Sequence, residues 1–115
     1  MRTIDCIRLL ESKKTIEVLL DALDNHMDSE NDPNYPNPDG WFGMARLYYN
    51  EKGNADHVKY DIVKKLVAYH ILEKDDAGIR NHIVVRLTNS GYKIAYHMLT
   101  SVELINDANQ EMLID

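Results

Sequence analysis

At 115 residues, with 44% hydrophobic and 28% charged residues, the chain has the size and composition of one globular domain that buries a core without metal or disulfide support. Its longest apolar runs, such as Ile83-Val84-Val85, are far too short to span a bilayer, and Cys6 is the only cysteine, which excludes an internal disulfide and a multi-cysteine zinc site. The net charge of −6 excludes the simplest electrostatic route to nucleic acid, a uniformly basic surface.

Residues 3–27 read as helix. Ile4, Ile7 and Leu10 recur at helical spacing, and so do Ile16, Leu19, Leu20 and Leu23. Ser12 before Lys13-Lys14 is a cap signal, so the spacing predicts either one bent helix or two. The segment opens with MRTIDCIRLLESKK, which carries Asp5 and Glu11 and no long apolar stretch, so a secretory leader is not expected. Cys6 falls on the helix as a small hydrophobe, and a reducing cytoplasm suits it.

Composition shifts at 28–40, DSENDPNYPNPDG, which holds all three prolines. This stretch is predicted as a loop of the length at which loops carry function or motion. Asp28, Glu30, Asp32, Asn34 and Asp39 echo a calcium loop. Pro33 stands where the sharp-turn Gly is required, so calcium is not expected. With Tyr35, Trp41 and Phe42 nearby, the loop is also a candidate partner-binding or ligand-gating element.

Helical signal resumes over WFGMARLYYN, with Asn37-Pro38 or Asp39 as its start. Glu51-Lys52-Gly53-Asn54 is a short turn. Asp56 is a good N-cap for a helix over HVKYDIVKKLVAYHILEK. Helix, short Gly turn and helix is helix-turn-helix spacing. Asp75-Asp76-Ala77-Gly78 reads as a turn, His82–Thr88 as a strand, and Asn89 or Ser90 as the cap of a last helix to about residue 112.

Charge is unevenly spread. Residues 57–97 hold seven Lys/Arg against four Asp/Glu, and four of the five histidines, so this segment is +3 and the remainder −9. A nucleic-acid face belongs in that segment. On a helical wheel centred on Ile62, Val58, Leu66 and Tyr69 lie within about 40° and form the expected buried stripe. His57, Tyr60, Lys64 and Ala68 lie opposite, with Asp61 at the edge and Lys59 and Lys65 flanking. Lys reaches phosphate or guanine, and Tyr bonds phosphate or touches a thymine methyl. A merely solvated helix face has the same pattern.

The order helix, helix, turn, helix, hairpin, helix over 55–98 resembles the winged helix-turn-helix fold, particularly the MarR- and PadR-like transcriptional regulators. Val58, Val63 and Leu66 match core positions of the recognition helix. Ile71-Leu72-Glu73-Lys74 resembles the segment entering the wing, and Asp76-Ala77-Gly78-Ile79-Arg80 resembles a wing tip. Val85-Arg86-Leu87-Thr88-Asn89-Ser90-Gly91 resembles the junction between the second wing strand and the next helix. There Thr88 or Ser90 would cap the helix and Gly91 would permit close packing. His70 stands where the family often has Gly. The resemblance assigns Arg80 a minor-groove or phosphate contact; a surface arginine paired with Asp75 or Asp76 is the alternative. Arg86, inside the strand, equally suits a structural ion pair.

On the last helix Ala95, Met98, Val102, Ile105, Asn109 and Met112 follow heptad spacing, a candidate dimer seam. Tyr92, Tyr96 and Leu99 form a second apolar face. Related regulators dimerise through terminal helices, and helical half-sites call for two-fold symmetry. No phosphate-binding Gly loop, zinc spacing or nucleophile elbow is present.

The expectation is thus a mainly helical α+β chain, a single winged-helix domain over 1–115. It comprises N-terminal helices at 1–27, a polar loop at 28–40, the helix-turn-helix and wing at 41–88, and a dimerisation helix at 89–115. Its expected function is sequence-specific binding of double-stranded DNA as a homodimeric cytoplasmic transcriptional regulator, without enzymatic activity, metal or cofactor. His57, Tyr60 and Lys64 would face the major groove, Lys59 and Lys65 the phosphates, and Arg80 the wing contact. The rival is a winged-helix protein-protein module: an antirepressor, adaptor or nucleic-acid mimic.

Overall fold

The computed structural model describes residues 3–31, 40–75 and 83–114. Two helices come first, α1 at Thr3–Leu10 and α2 at Lys13–Asn31. They divide at Ser12. Its amide turns back to the Leu9 carbonyl at 3.1 Å, while its own carbonyl starts the next helix by accepting from the Ile16 amide at 3.0 Å. Helix α2 buries Thr15, Val18, Leu19, Ala22, Leu23, His26 and Ser29, one stripe at helical spacing. Ile16 and Leu20 lie at its edge, only half-buried. The helix runs to Asn31, past the expected start of the loop, of which residues 32–39 lie outside the described residues.

WFGMARLYYN is not the expected helix. Phe42–Gly43 forms strand β1, and Met44–Leu47 is a single 3-10 turn. The cause is a distant partner: Phe42 pairs with Val85 and Gly43 with Val84, and the Met44 amide donates to the Ile83 carbonyl at 3.0 Å. Phe42 is fully buried, as is Leu47 at 1% exposure. The turn at 51–54 forms as expected. Asn50 Oδ1 accepts from the Lys52 and Asn54 amides at 3.0 and 2.9 Å, and Gly53 supplies a φ of 80°.

Helix α3 spans His57–Ala68, shorter than its sequence pattern. Asp56 caps its start, with Oδ1 accepting from the Val58 and Lys59 amides at 3.0 and 3.1 Å. Its end is a Schellman motif. The Ile71 amide donates to the Leu66 carbonyl at 2.9 Å, and the His70 amide to the Val67 carbonyl at 3.1 Å. His70 occupies the left-handed position with φ 58°, the geometry in which glycine costs nothing. The chain then enters β2, Leu72–Asp75, which pairs antiparallel with β3, Val84–Leu87. The sheet order is β1-β3-β2. The wing-tip expectations for 76–80, Arg80 among them, lie outside the described residues.

Helix α4, Asn89–Ile114, starts at a tight junction. Thr88 Oγ1 accepts from the Gly91 amide at 3.0 Å and donates towards the His70 carbonyl at 2.7 Å, with the Ile71 carbonyl at 3.2 Å. A Cβ on Gly91 would stand 1.9 Å from the Ile71 carbonyl oxygen, so only glycine lets α4 approach this corner. Of the three expected caps, Thr88, Asn89 and Ser90, Thr88 is the residue used. The result is a mainly helical α+β chain in which α2, α3, α4 and the sheet enclose one core around Leu19, Phe42, Leu47, Val63, Leu66 and Leu72.

Candidate nucleic-acid interface

The outward face of α3 consists of His57, Val58, Asp61, Lys64, Lys65 and Ala68, all exposed. The face is turned from the expected one. Ile62, Val63 and Leu66 are the buried positions, while Val58 is 54% exposed and Tyr69 half-buried. The helix has rolled towards Val63 because α2 packs against that side. The Lys59 ammonium lies 3.6 Å from Glu17 on α2.

That roll redistributes the expected contacts. His57, Lys64 and Lys65 stay on the solvent side. Tyr60 does not. It is half-buried, with its ring edge-on to Tyr48 at 5.0 Å and 82°, and the Tyr48 ring in turn lies 5.1 Å from that of Tyr49, tilted by 33°. Lys64 Nζ stands 5.5 Å from the Tyr60 ring centroid, a cation–π contact that leaves the ammonium at the surface. Burial first, then the neighbouring phenols of Tyr49 and Tyr60, push the Tyr48 hydroxyl above its ordinary value of 10.0. The Tyr48 hydroxyl is therefore neutral at pH 7.

Lys59 is drawn into an acidic neighbourhood on α2. Asp21 there has its carboxyl raised above 3.8, by partial burial first; Lys59 opposes that shift, and Asp24 and Glu17 add to it. Lys14 is likewise occupied, donating to Asp56 Oδ2 at 3.0 Å. Backbone bonding from the Lys59 amide, then the Lys14 side chain, holds the Asp56 carboxyl below its ordinary 3.8. Lys64 and Lys65 are consequently the cations of this face with no carboxylate partner among the described residues.

On another side of the sheet, a cleft of about 460 Å³ is lined by His26, Glu30, Glu73, Arg86, Leu87, Thr88 and Asn89. Its charges are paired internally. Arg86 bonds Glu73 across the β2–β3 register and stacks 4.4 Å from the Trp41 ring centroid, the structural role open to it from sequence. His26 Nε2 lies 3.0 Å from Glu30 Oε1. The imidazole is buried beneath Gly40, whose φ is 88° and whose absent side chain leaves room for the ring. Nδ1 has no hydrogen-bond partner among the described residues. This cluster went unnoticed in the sequence, where His26 and Trp41 are separated by the Pro-rich loop. The i, i+4 spacing of His26 and Glu30 was its one local signal. Among the described residues no group of His, Cys, Asp and Glu could hold a metal ion.

On α4, Ala95 is fully buried in the core and Met98 packs half-buried against it. The first part of the heptad seam therefore faces the chain's own α2. Ile105 is 61% exposed and Leu104 63%, because the helix continues past the core. The side chains of Val102, Asn109 and Met112 lie outside the described residues. No helix among the described residues is long and apolar enough to cross a membrane. No family model matches the chain, and neither does any curated protein or solved structure.

Proposed function

We propose that the chain is a winged helix-turn-helix protein that binds double-stranded DNA as a homodimer and regulates transcription, with α3 in the major groove. The observation that carries this reading is the outward face of α3. His57, Lys64 and Lys65 stand together on the solvent side of a helix held rigidly by its cap, its C-terminal corner and the core. Lysines so placed release counterions from phosphate and reach base edges. The element order adds support. Helix, strand, short helical turn, helix and two strands, with sheet order β1-β3-β2, is an order compatible with a winged helix. The left-handed corner at His70 suits the Gly of the family it resembles. The likeness also assigns Arg80 to the wing contact. The exposed far half of α4, with Leu104 and Ile105, is the surface for a second copy.

The test is fluorescence anisotropy with a mixture of labelled duplexes, including the DNA upstream of the chain's own gene, across a salt series. Specific binding that weakens steeply with salt is expected, and joint Lys64→Ala and Lys65→Ala substitution should lower the salt slope by about 2 phosphate contacts. Absence of binding at low salt by folded protein refutes the reading. Sedimentation velocity tests the dimer: Ile105→Glu should yield monomers. The second reading, a winged-helix module that binds another protein, is favoured by the engagement of Lys14 and Lys59 with carboxylates and by the net charge of −6.

A further inference from the structure

We infer that Asp61 and Val58 set the base preference of the α3 face: Asp61 accepts from the exocyclic amine of a cytosine, and Val58 packs on the methyl of a neighbouring thymine. The inference rests on the reading of α3 as a groove helix.

Two residues on the outward face are unlike the others. Asp61 is exposed and flanked by cations three and four positions ahead, Lys64 and Lys65, yet makes no ion pair among the described residues. Lys64 is turned over the Tyr60 ring instead. The Asp61 carboxylate is therefore uncommitted. Val58 is 54% exposed one turn earlier, at the second position of the helix, and contributes nothing to the core. The bare isopropyl group is available to an apolar partner. A face that only gripped phosphates would be weakened by an anion at its centre.

Base edges suit both groups. An ionised carboxylate is an acceptor only. In the major groove the amines of cytosine and adenine are the donors, and adenine sets its N7 acceptor beside the amine, where it repels a carboxylate. Cytosine is the remaining match. The valine methyls can recognise only an apolar feature, and thymine supplies the one methyl in that groove. Three residues of helix rise about 4.5 Å, close to the ~3.4 Å spacing of successive bases, so the two side chains fit adjacent pairs. Lys64 continues the row of Val58 and Asp61, and Lys65 lies one turn on from Asp61 in the other row, so both are within reach of the flanking phosphates or the guanine paired to that cytosine. The ligand is thus B-form duplex DNA whose half-site holds a C·G pair beside a T·A pair. Duplex RNA is excluded, because its deep, narrow major groove does not admit side chains.

The test is selection from a randomised duplex pool with the parent protein and with Asp61→Asn, Val58→Ala and Lys65→Ala, followed by anisotropy on the selected site. The parent should select cytosine at one position and thymine next to it. Asp61→Asn should move the first position towards adenine, which asparagine pairs bidentately, and bind the parent's site about ten- to a hundred-fold more weakly. Val58→Ala should relax the thymine position alone. Lys65→Ala should weaken all sites alike and lower the salt slope by about 1. An Asp61→Asn variant that binds the parent's site equally well or better, with every preference unchanged, overturns the inference and leaves DNA binding standing. A parent that selects no duplex at low salt overturns both. All three substitutions are at exposed positions, so loss of fold does not confuse the outcome.

Discussion

Replacing Gly91 with alanine should destabilise the chain severely, against the usual sign of that substitution in a helix. Alanine in place of glycine ordinarily stabilises a helix by up to about 1 kcal/mol. Here the added Cβ would lie 1.9 Å from the Ile71 carbonyl oxygen and 2.9 Å from its carbon. The obstacle is backbone, and that carbonyl already accepts from the Thr88 amide at 3.1 Å. Relief requires the start of α4 and the α3–β2 corner to part by more than about 1 Å, on van der Waals grounds. That separation breaks the Thr88 bonds to His70 and Ile71 and loosens Leu87 and Ala95, which are 3% and 0% exposed. Overpacking of a core costs ~1–3 kcal/mol, and each lost hydrogen bond contributes ~0.5–1.5 kcal/mol. With two such bonds lost the sum is roughly 2–6 kcal/mol, a large share of the ~5–15 kcal/mol that holds a domain of this size. Urea denaturation followed by far-UV circular dichroism should show the loss, with a fall in Tm of at least about 8 °C. A loss under about 1 kcal/mol would refute the account of the junction.

His70→Gly should work the other way. Residue 70 is left-handed with φ 58°, so glycine there should add roughly 1 kcal/mol, read from the same urea curves; an unchanged midpoint would mean that histidine makes a compensating contact. Asp56 makes the acid limb of stability testable. Its carboxyl is held below the ordinary aspartate value, chiefly by the Lys59 amide and then by Lys14. Its contribution is therefore present above about pH 4 and lost as pH falls through the lowered value. The stability gap between parent and Asp56→Asn should be widest near neutrality and narrow as the pH falls below about 4, and a gap that widens on acidification would show the sign to be wrong.

Features whose causes lie close along the chain were legible in the sequence. Asp56 caps α3 with bonds two and three residues ahead, and Thr88 does the same for α4 at Gly91. Asn50 and Gly53 close their turn with local bonds. The misread features have distant causes. Phe42 and Gly43 carry helical neighbours and become a strand only by pairing with Val84 and Val85. The roll of α3 accompanies its packing on α2, where Lys59 meets Glu17; it buries Val63 and leaves Val58 bare, and no wheel drawn on α3 alone contains that information. The heptad on α4 was genuine periodicity with two different consequences, since α2 covers Ala95 and the core ends before Ile105. His26 and Gly40 were invisible as a pair because a proline-rich stretch separates them in sequence. The His70 corner was half-legible: the resemblance marked the position, and the backbone supplied the reason.

The two ends of the proline-rich stretch carry a practical consequence. Ser29 Oγ donates to the Trp41 carbonyl at 3.0 Å, and Gly40 is clamped on the His26 ring. Both attachments join α2 to the two residues just before β1, so the ends at Asn31 and Gly40 are fixed relative to each other. An insertion between two fixed ends costs chiefly loop-closure entropy, and doubling a flexible connection costs only about 0.6 kcal/mol. An affinity tag or fluorophore inserted between Asn31 and Gly40 should therefore leave both attachments in place, which the urea midpoint would report.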